Sequence, residues 1–174
     1  LPRARLTTEK GAHLSMTGRI ARASSEGEAA KGVLSYEIDA DNSAAIGEVS
    51  KLLGFEEILD KQLTALPSMR VAGLVQIGKR QPKAADVTFD GLVGGARVIG
   101  DGTFDRGFSS WRTEPVRLVA TLRSGDLGEI LKLAGAEPTL LSGLKSRSGE
   151  ASLAISGLLS QGAKSLTEVS AQGL

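Results

Sequence analysis

The residues able to do chemistry are few and scattered. His13 is the single histidine. It sits between Ala12 and Leu14 at a polar position of an alternating stretch. Zinc binding or histidine-based catalysis needs partners at close spacing. None is present, so His13 reads as a solvated surface residue. The stretch Asp101-Gly102-Thr103-Phe104-Asp105 partly matches a calcium loop. It lacks the third carboxylate, the glycine at the required place and the terminal Glu, and its Asp-Gly pair predicts a hairpin turn instead. Gly94-Gly95 with Gly100 and Gly102 departs from the dinucleotide pattern and has no helix behind it to cradle phosphate. Ser142-Gly143-Leu144-Lys145 fits SxxK by spacing alone, without the accompanying SDN and KTG elements. Glu56-Glu57 and the pair Asp39/Asp41 read as solvated loop and cap carboxylates rather than an acid/base dyad. With no cysteine in the chain, neither a disulfide nor a thiolate site exists. No catalytic residue, metal site or cofactor is expected, and an enzyme is the least favoured reading.

The composition sets the remaining bounds. The 174 residues suffice for one ordinary domain or two small units. The 21 basic and 20 acidic residues nearly cancel, which argues against a nucleic-acid partner because such a surface needs a basic excess. Hydrophobic residues make up 41% and aromatics only 3%, so a core would be built of Val, Ile, Leu and Ala. The 22 glycines fit frequent turns between strands. No apolar run approaches the roughly 20 residues of a membrane helix. The start, Leu1-Pro2-Arg3-Ala4-Arg5, has neither Met nor a signal segment, and we expect the chain to be a piece of a longer protein.

Any functional residue must be positioned by strands. Ala12, Leu14, Met16, Gly18 and Ile20 alternate with polar residues, as do Leu34, Tyr36, Ile38 and Ala40. Met69 to Ile77, Val87 to Val93, Val98 to Phe104, Val116 to Leu122, Ala151 to Leu159 and Leu166 to Leu174 continue the pattern, and residues 4–9 add an earlier edge strand. One apolar and one polar face per strand is the mark of antiparallel sheet with a side in water.

Two segments break this period and resemble each other. Residues 43–56 (SAAIGEVSKLLGFE) and 124–137 (SGDLGEILKLAGAE) share six of fourteen residues at an offset of 81. Ile46, Val49, Leu52 and Leu53 in the first fall at helical spacing, as do Leu127, Ile130, Leu131 and Ala134 in the second. Ser43 and Ser124 occupy the expected N-caps, and Gly54 and Gly135 the positions just past each end. Residues 56–67 either extend the first helix or form another, stopped by Pro67. The likeness runs on: Val71 to Leu74 lines up with Ile155 to Leu158, and Val87 to Leu92 with Val169 to Leu174. A first unit over 1–105 and a second, incomplete one over 106–174 follow, as in repeat arrays. The fold class expected is α+β, mainly β: an antiparallel, meandering, curved sheet forming a repeating β-groove, with two short amphipathic helices packed on it.

About nine strands at ~4.8 Å make a sheet roughly 40 Å wide, and two helices of about 10 Å cover only half of it. Each uncovered Val, Ile or Leu forgoes roughly 1.5–3 kcal/mol. The apolar face, represented by Val71, Val75, Ile77, Val87, Phe89, Leu118, Leu153 and Ile155, must therefore curl on itself, meet neighbouring repeats of the same chain, or hold a ligand. A phospholipid or other acyl-chain ligand of indefinite length would suit a repeating wall. The segment Phe104 to Arg112, with the single Trp at 111, reads either as a small loop cluster or as a surface anchor.

The segments YEIDADNSAAIGEVSKLLGF and VRLVATLRSGDLGEILKLAG, with the hairpin DVTFDGLVGGARVIGDGTFD, resemble the AsmA-like family. The resemblance covers most of residues 30–174. It implies a long protein of repeated strands, anchored in the inner membrane of Gram-negative bacteria with its bulk in the periplasm. It also implies a role in outer-membrane biogenesis and phospholipid transport. The alternative is a structural or assembly scaffold that pairs its sheet edges with envelope proteins and binds no lipid.

Overall fold

The alternating stretches become nine strands of one sheet. The computed structural model of the chain describes residues 3–21, 30–53, 66–79, 84–107, 113–114, 116–126, 149–157 and 166–173, with only the backbone described from Ala151 on. The elements are β1 (Arg3–Thr7), β2 (His13–Ala21), β3 (Lys31–Ala40), α1 (Ser43–Leu53), β4 (Met69–Ile77), β5 (Ala85–Val93), β6 (Ala96–Phe104), β7 (Val116–Ser124), β8 (Gly149–Gly157) and β9 (Leu166–Gly173). Each strand pairs antiparallel with the next, so the sheet is an open meander in chain order from β1 to β9. The fold is mainly β, with one helix among the described residues.

Register carries the alternation across the sheet. Partners opposite each other share a face. One row reads Leu6, Leu14, Ile38, Val71, Gly91, Val98, Leu122 from β1 to β7. A neighbouring row reads Ala4, Met16, Tyr36, Gly73, Phe89, Gly100, Ala120. A third reads Leu34, Val75, Val87, Gly102, Leu118. These rows make one apolar face. The opposite face holds rows such as Thr7, His13, Asp39, Arg70.

Helix α1 covers one end of the apolar face. Ala45, Ile46 and Val49 are buried together with Ala12, Ala40 and Leu66, and Leu14, Ile38, Met69 and Val93 pack against them. The buried stripe corrects the expected one. Leu52 is 55% exposed, because at 3.6 residues per turn it lies at the stripe's edge, and Ala45 takes its place beneath the helix. The cap is also corrected: Asn42, not Ser43, closes the helix. Asn42 Oδ1 accepts from the Ala45 amide at 2.9 Å and its carbonyl from Ile46 at 3.1 Å. The β1–β2 connection ties in from the side, with the Lys10 amide donating to Glu48 Oε2 at 2.8 Å. A second cluster, Ala85, Phe104 and Val116 with Val87 and Leu118, closes the other end.

One more expectation is corrected. Asp101-Gly102 is not a turn but lies inside β6, paired with Val119 and Leu118. A β-carbon at Gly102 would meet the end of the Leu118 side chain at 2.5 Å. The turn falls later, where the Gly107 amide donates to the Phe104 carbonyl at 3.2 Å. Ser124, expected to cap a second helix, is the last residue of β7, and its hydroxyl accepts from the Asp126 amide at 3.1 Å, a contact that an N-cap makes. The rest of that expected helix, residues 56–65, the SxxK stretch and residues 108–112 with Trp111 lie outside the described residues. Gly94-Gly95 makes the two-residue β5–β6 hairpin, with Gly94 at φ 63°, the left-handed backbone such turns require.

Candidate functional site

The apolar face is the candidate site, and its middle is built by an alternation of large and absent side chains. Tyr36 projects from β3 over Gly73 on β4, and its hydroxyl donates to the carbonyl of Thr88 on β5 at 3.0 Å. A β-carbon at Gly73 would lie 1.8 Å from that carbonyl oxygen and 2.8 Å from the Tyr36 hydroxyl. Only glycine lets the strands and the ring come this close. Thr88 is held from both sides: its Oγ1 accepts from the Leu74 amide at 3.3 Å. Burial pushes the Tyr36 phenol up to about 12, since the phenolate would lose water without gaining a cation.

The residues expected to form the face fall together. Val75 is buried, and Val71, Ile77, Val87, Phe89 and Leu118 are half-buried. Backbone register sets Leu153 opposite Ala120 and Ile155 opposite Leu118, across the β7–β8 pair. What the sequence reading omitted is the flank. On β1 and β2, Leu6, Met16 and Ile20 are 48%, 43% and 51% exposed. They carry the same parity as the rest of the face, so the alternation marked their side of the sheet but not their exposure. The face is therefore most open at β1–β2 and closed beneath α1 and around Phe104 and Val116.

The opposite face carries cross-strand ion pairs among exposed apolar side chains, Val33, Leu74, Leu92, Ile99 and Val119. Arg70 meets Asp39 across strands at 3.2 Å, Arg97 meets Asp90 at 2.9 Å, and Arg123 meets Glu150 at 2.9 Å. The Arg97 guanidinium, donating through Nε and Nη2, holds the Asp90 carboxyl below its usual range. These exposed pairs are screened by water and set register more than stability. A depression of about 480 Å³ on this face is lined by Ala72, Thr88, Asp90, Ile99, Asp101, Val119 and Thr121. Of its two carboxylates, Asp90 is engaged by Arg97.

His13 lies on the same polar face, exposed, with Nδ1 3.1 Å from Thr7 Oγ1 and Asp39 as its cross-strand partner. The row Thr7, His13, Asp39 has the residue types of a nucleophile, base and orienter. Yet Asp39 is engaged by Arg70, and the hydroxyl stands in water without donors placed for an oxyanion. Among the described residues no group of three His, Cys, Asp or Glu could hold a metal ion. No described helix is long and apolar enough to cross a membrane. Comparison with protein families, with curated proteins and with solved structures finds no match.

Proposed function

We propose that the chain is a β-groove segment that holds phospholipid acyl chains against its apolar face. On this reading it belongs to a periplasmic, inner-membrane-anchored protein of the AsmA-like kind, serving phospholipid transport and outer-membrane biogenesis. The observation that carries the proposal is the open flank: Leu6, Met16 and Ile20, large and apolar, stand about half in water at the margin of an otherwise apolar face. Single exposed apolar residues are ordinary, but three on adjacent strands of one face are a patch. Each methylene laid on it gains about 0.8 kcal/mol. The curved, repeating groove belongs to the same proposal. It has units at 1–105 and 106–174, a boundary in the β6–β7 connection, a second packed helix after β7, and neighbouring repeats extending the wall.

The test is gentle purification followed by solvent extraction and mass spectrometry. Phospholipid in near-stoichiometric amount is expected. A lipid-free protein that neither takes up a fluorescent phospholipid nor loses the exposure of Met16 on adding one would end the proposal. Recovery of an envelope protein by that lipid-free form would favour the scaffold.

A further inference from the structure

We propose that Met16 is an oxidation switch on the apolar face. Conversion of its thioether to the sulfoxide by a peroxide weakens the hold on acyl chains, and reduction restores it. The inference rests on the reading of that face as a lipid groove and adds its regulation.

The chain has two methionines, and the fold treats them differently. Met16 lies midway along β2, a strand paired on both sides, by β1 and by β3. Its side chain belongs to the apolar face, yet Met16 is 43% exposed. Register explains the exposure. On one side its cross-strand partner is Ala4, too short to reach over it. On the other side the partner is Tyr36. That ring leans away from β2, over Gly73 on β4, because its hydroxyl donates to the Thr88 carbonyl on β5. Met69, by contrast, is half-buried and packs on the cluster beneath α1.

A thioether has no proton to lose, so access of the oxidant sets its rate of oxidation. The sulfur lone pair attacks one oxygen of hydrogen peroxide, an S–O bond forms and the O–O bond breaks. Sulfur gives up two electrons, and the departing oxygen leaves as water with the proton of the oxygen transferred. A flexible apolar side chain thereby becomes a polar one with a strong acceptor. Neither cross-strand partner serves that oxygen, since the Ala4 side chain has no donor and the Tyr36 hydroxyl is spent on Thr88. In the lipid-free chain water hydrates it. Beneath an acyl chain it would lose that water without gaining a donor. Oxidation therefore acts on binding and spares the fold.

The test treats the full chain with hydrogen peroxide and maps sulfoxides by peptide mass spectrometry. A fluorescent phospholipid is titrated before and after treatment. Met16 is expected to oxidise several-fold faster than Met69, because one is open to solvent and the other packs beneath a helix. Chain with sulfoxide at residue 16 alone should melt as before and bind the phospholipid about ten-fold more weakly. A methionine sulfoxide reductase should restore binding. Peroxide should still weaken binding by Met69→Leu, but leave that of Met16→Leu where it stood before treatment. Faster oxidation of Met69, binding that survives full oxidation of Met16, or an equal loss in Met16→Leu overturns the switch and leaves the lipid reading standing. A chain that binds no phospholipid before treatment overturns both.

Discussion

The ring of Phe89 on β5 lies across Gly100 on β6, so close that a β-carbon at residue 100 would meet Phe89 Cζ at 2.5 Å and the Val119 carbonyl oxygen at 2.2 Å. Tyr36 stands to Gly73 as Phe89 stands to Gly100, one strand pair earlier in the same row. An aromatic ring laid over a glycine of the next strand covers backbone that would otherwise face water, and it lets the sheet bend there. The two pairs stiffen the middle of the apolar face with only two large rings.

Gly100→Ala should therefore cost about 1–3 kcal/mol, because the new methyl must displace both the ring and a carbonyl. Gly73→Ala should cost at least as much, since its nearest backbone carbonyl oxygen lies at 1.8 Å against 2.2 Å at Gly100. Urea unfolding of each variant measures this. Gly125→Ala is the control: no atom lies within 4 Å of its added carbon, so little change is expected there.

Tyr36 is the single tyrosine, so its ionisation can be read directly from phenolate absorbance near 295 nm. A midpoint near 12 is expected in the folded protein, falling to about 10 in denaturant. The raised value means that the folded state disfavours the phenolate. The stability contributed is fully present below about pH 10 and is lost as pH rises through 12. Tyr36→Phe should flatten that alkaline decline. A folded-state midpoint at the denatured value would show that the hydroxyl is not sheltered at Thr88.

Helix α1 is held by two different kinds of contact. Ile46 is fully buried, and Ile46→Ala should cost about 2–5 kcal/mol through lost transfer and the cavity left behind. Asn42→Ala should cost about 1 kcal/mol by leaving the Ala45 amide without its acceptor. Ser43→Ala should cost less than Asn42→Ala, a ranking that chemical denaturation resolves and that reverses the order expected from sequence.

The flank can be separated from the core. Replacing Leu6, Met16 and Ile20 together by Ser should remove most co-purifying phospholipid and leave the melting temperature within a few degrees, because each side chain is already about half exposed. Undiminished lipid in a normally folded triple variant would move the lipid site away from β1–β2.

Particular residues show how far sequence reasoning reached. The parity of Leu14, Ile38, Val71, Val98 and Leu122 was readable one strand at a time, because a pleated strand sends every second side chain to one side whatever its neighbours. Helix α1 was readable from Ile46 and Val49 for a similar local reason. The assignment failed at Asp101-Gly102, where a turn dipeptide sits inside a strand because its cross-strand partners Val119 and Leu118 continue the ladder through it. It failed at the cap because Asn42 and Ser43 are both good caps, and only the backbone path out of Ala40 chooses between them. Leu52 was misassigned because a stripe's edge depends on what lies beneath the helix.

The amino-acid sequence by itself determined the strand and helix periods, the shared parity of the apolar residues and the near-balance of charge, since these depend on contacts within a few residues. Tertiary structure decided which partner each strand residue meets, and so which glycine lies under which ring and which arginine finds a carboxylate. It also decided that Leu6, Met16 and Ile20 stay in water while Val75 and Val116 do not. Those outcomes follow from residues far apart in the chain being brought to one place, and a period of two residues carries no record of which neighbours arrive.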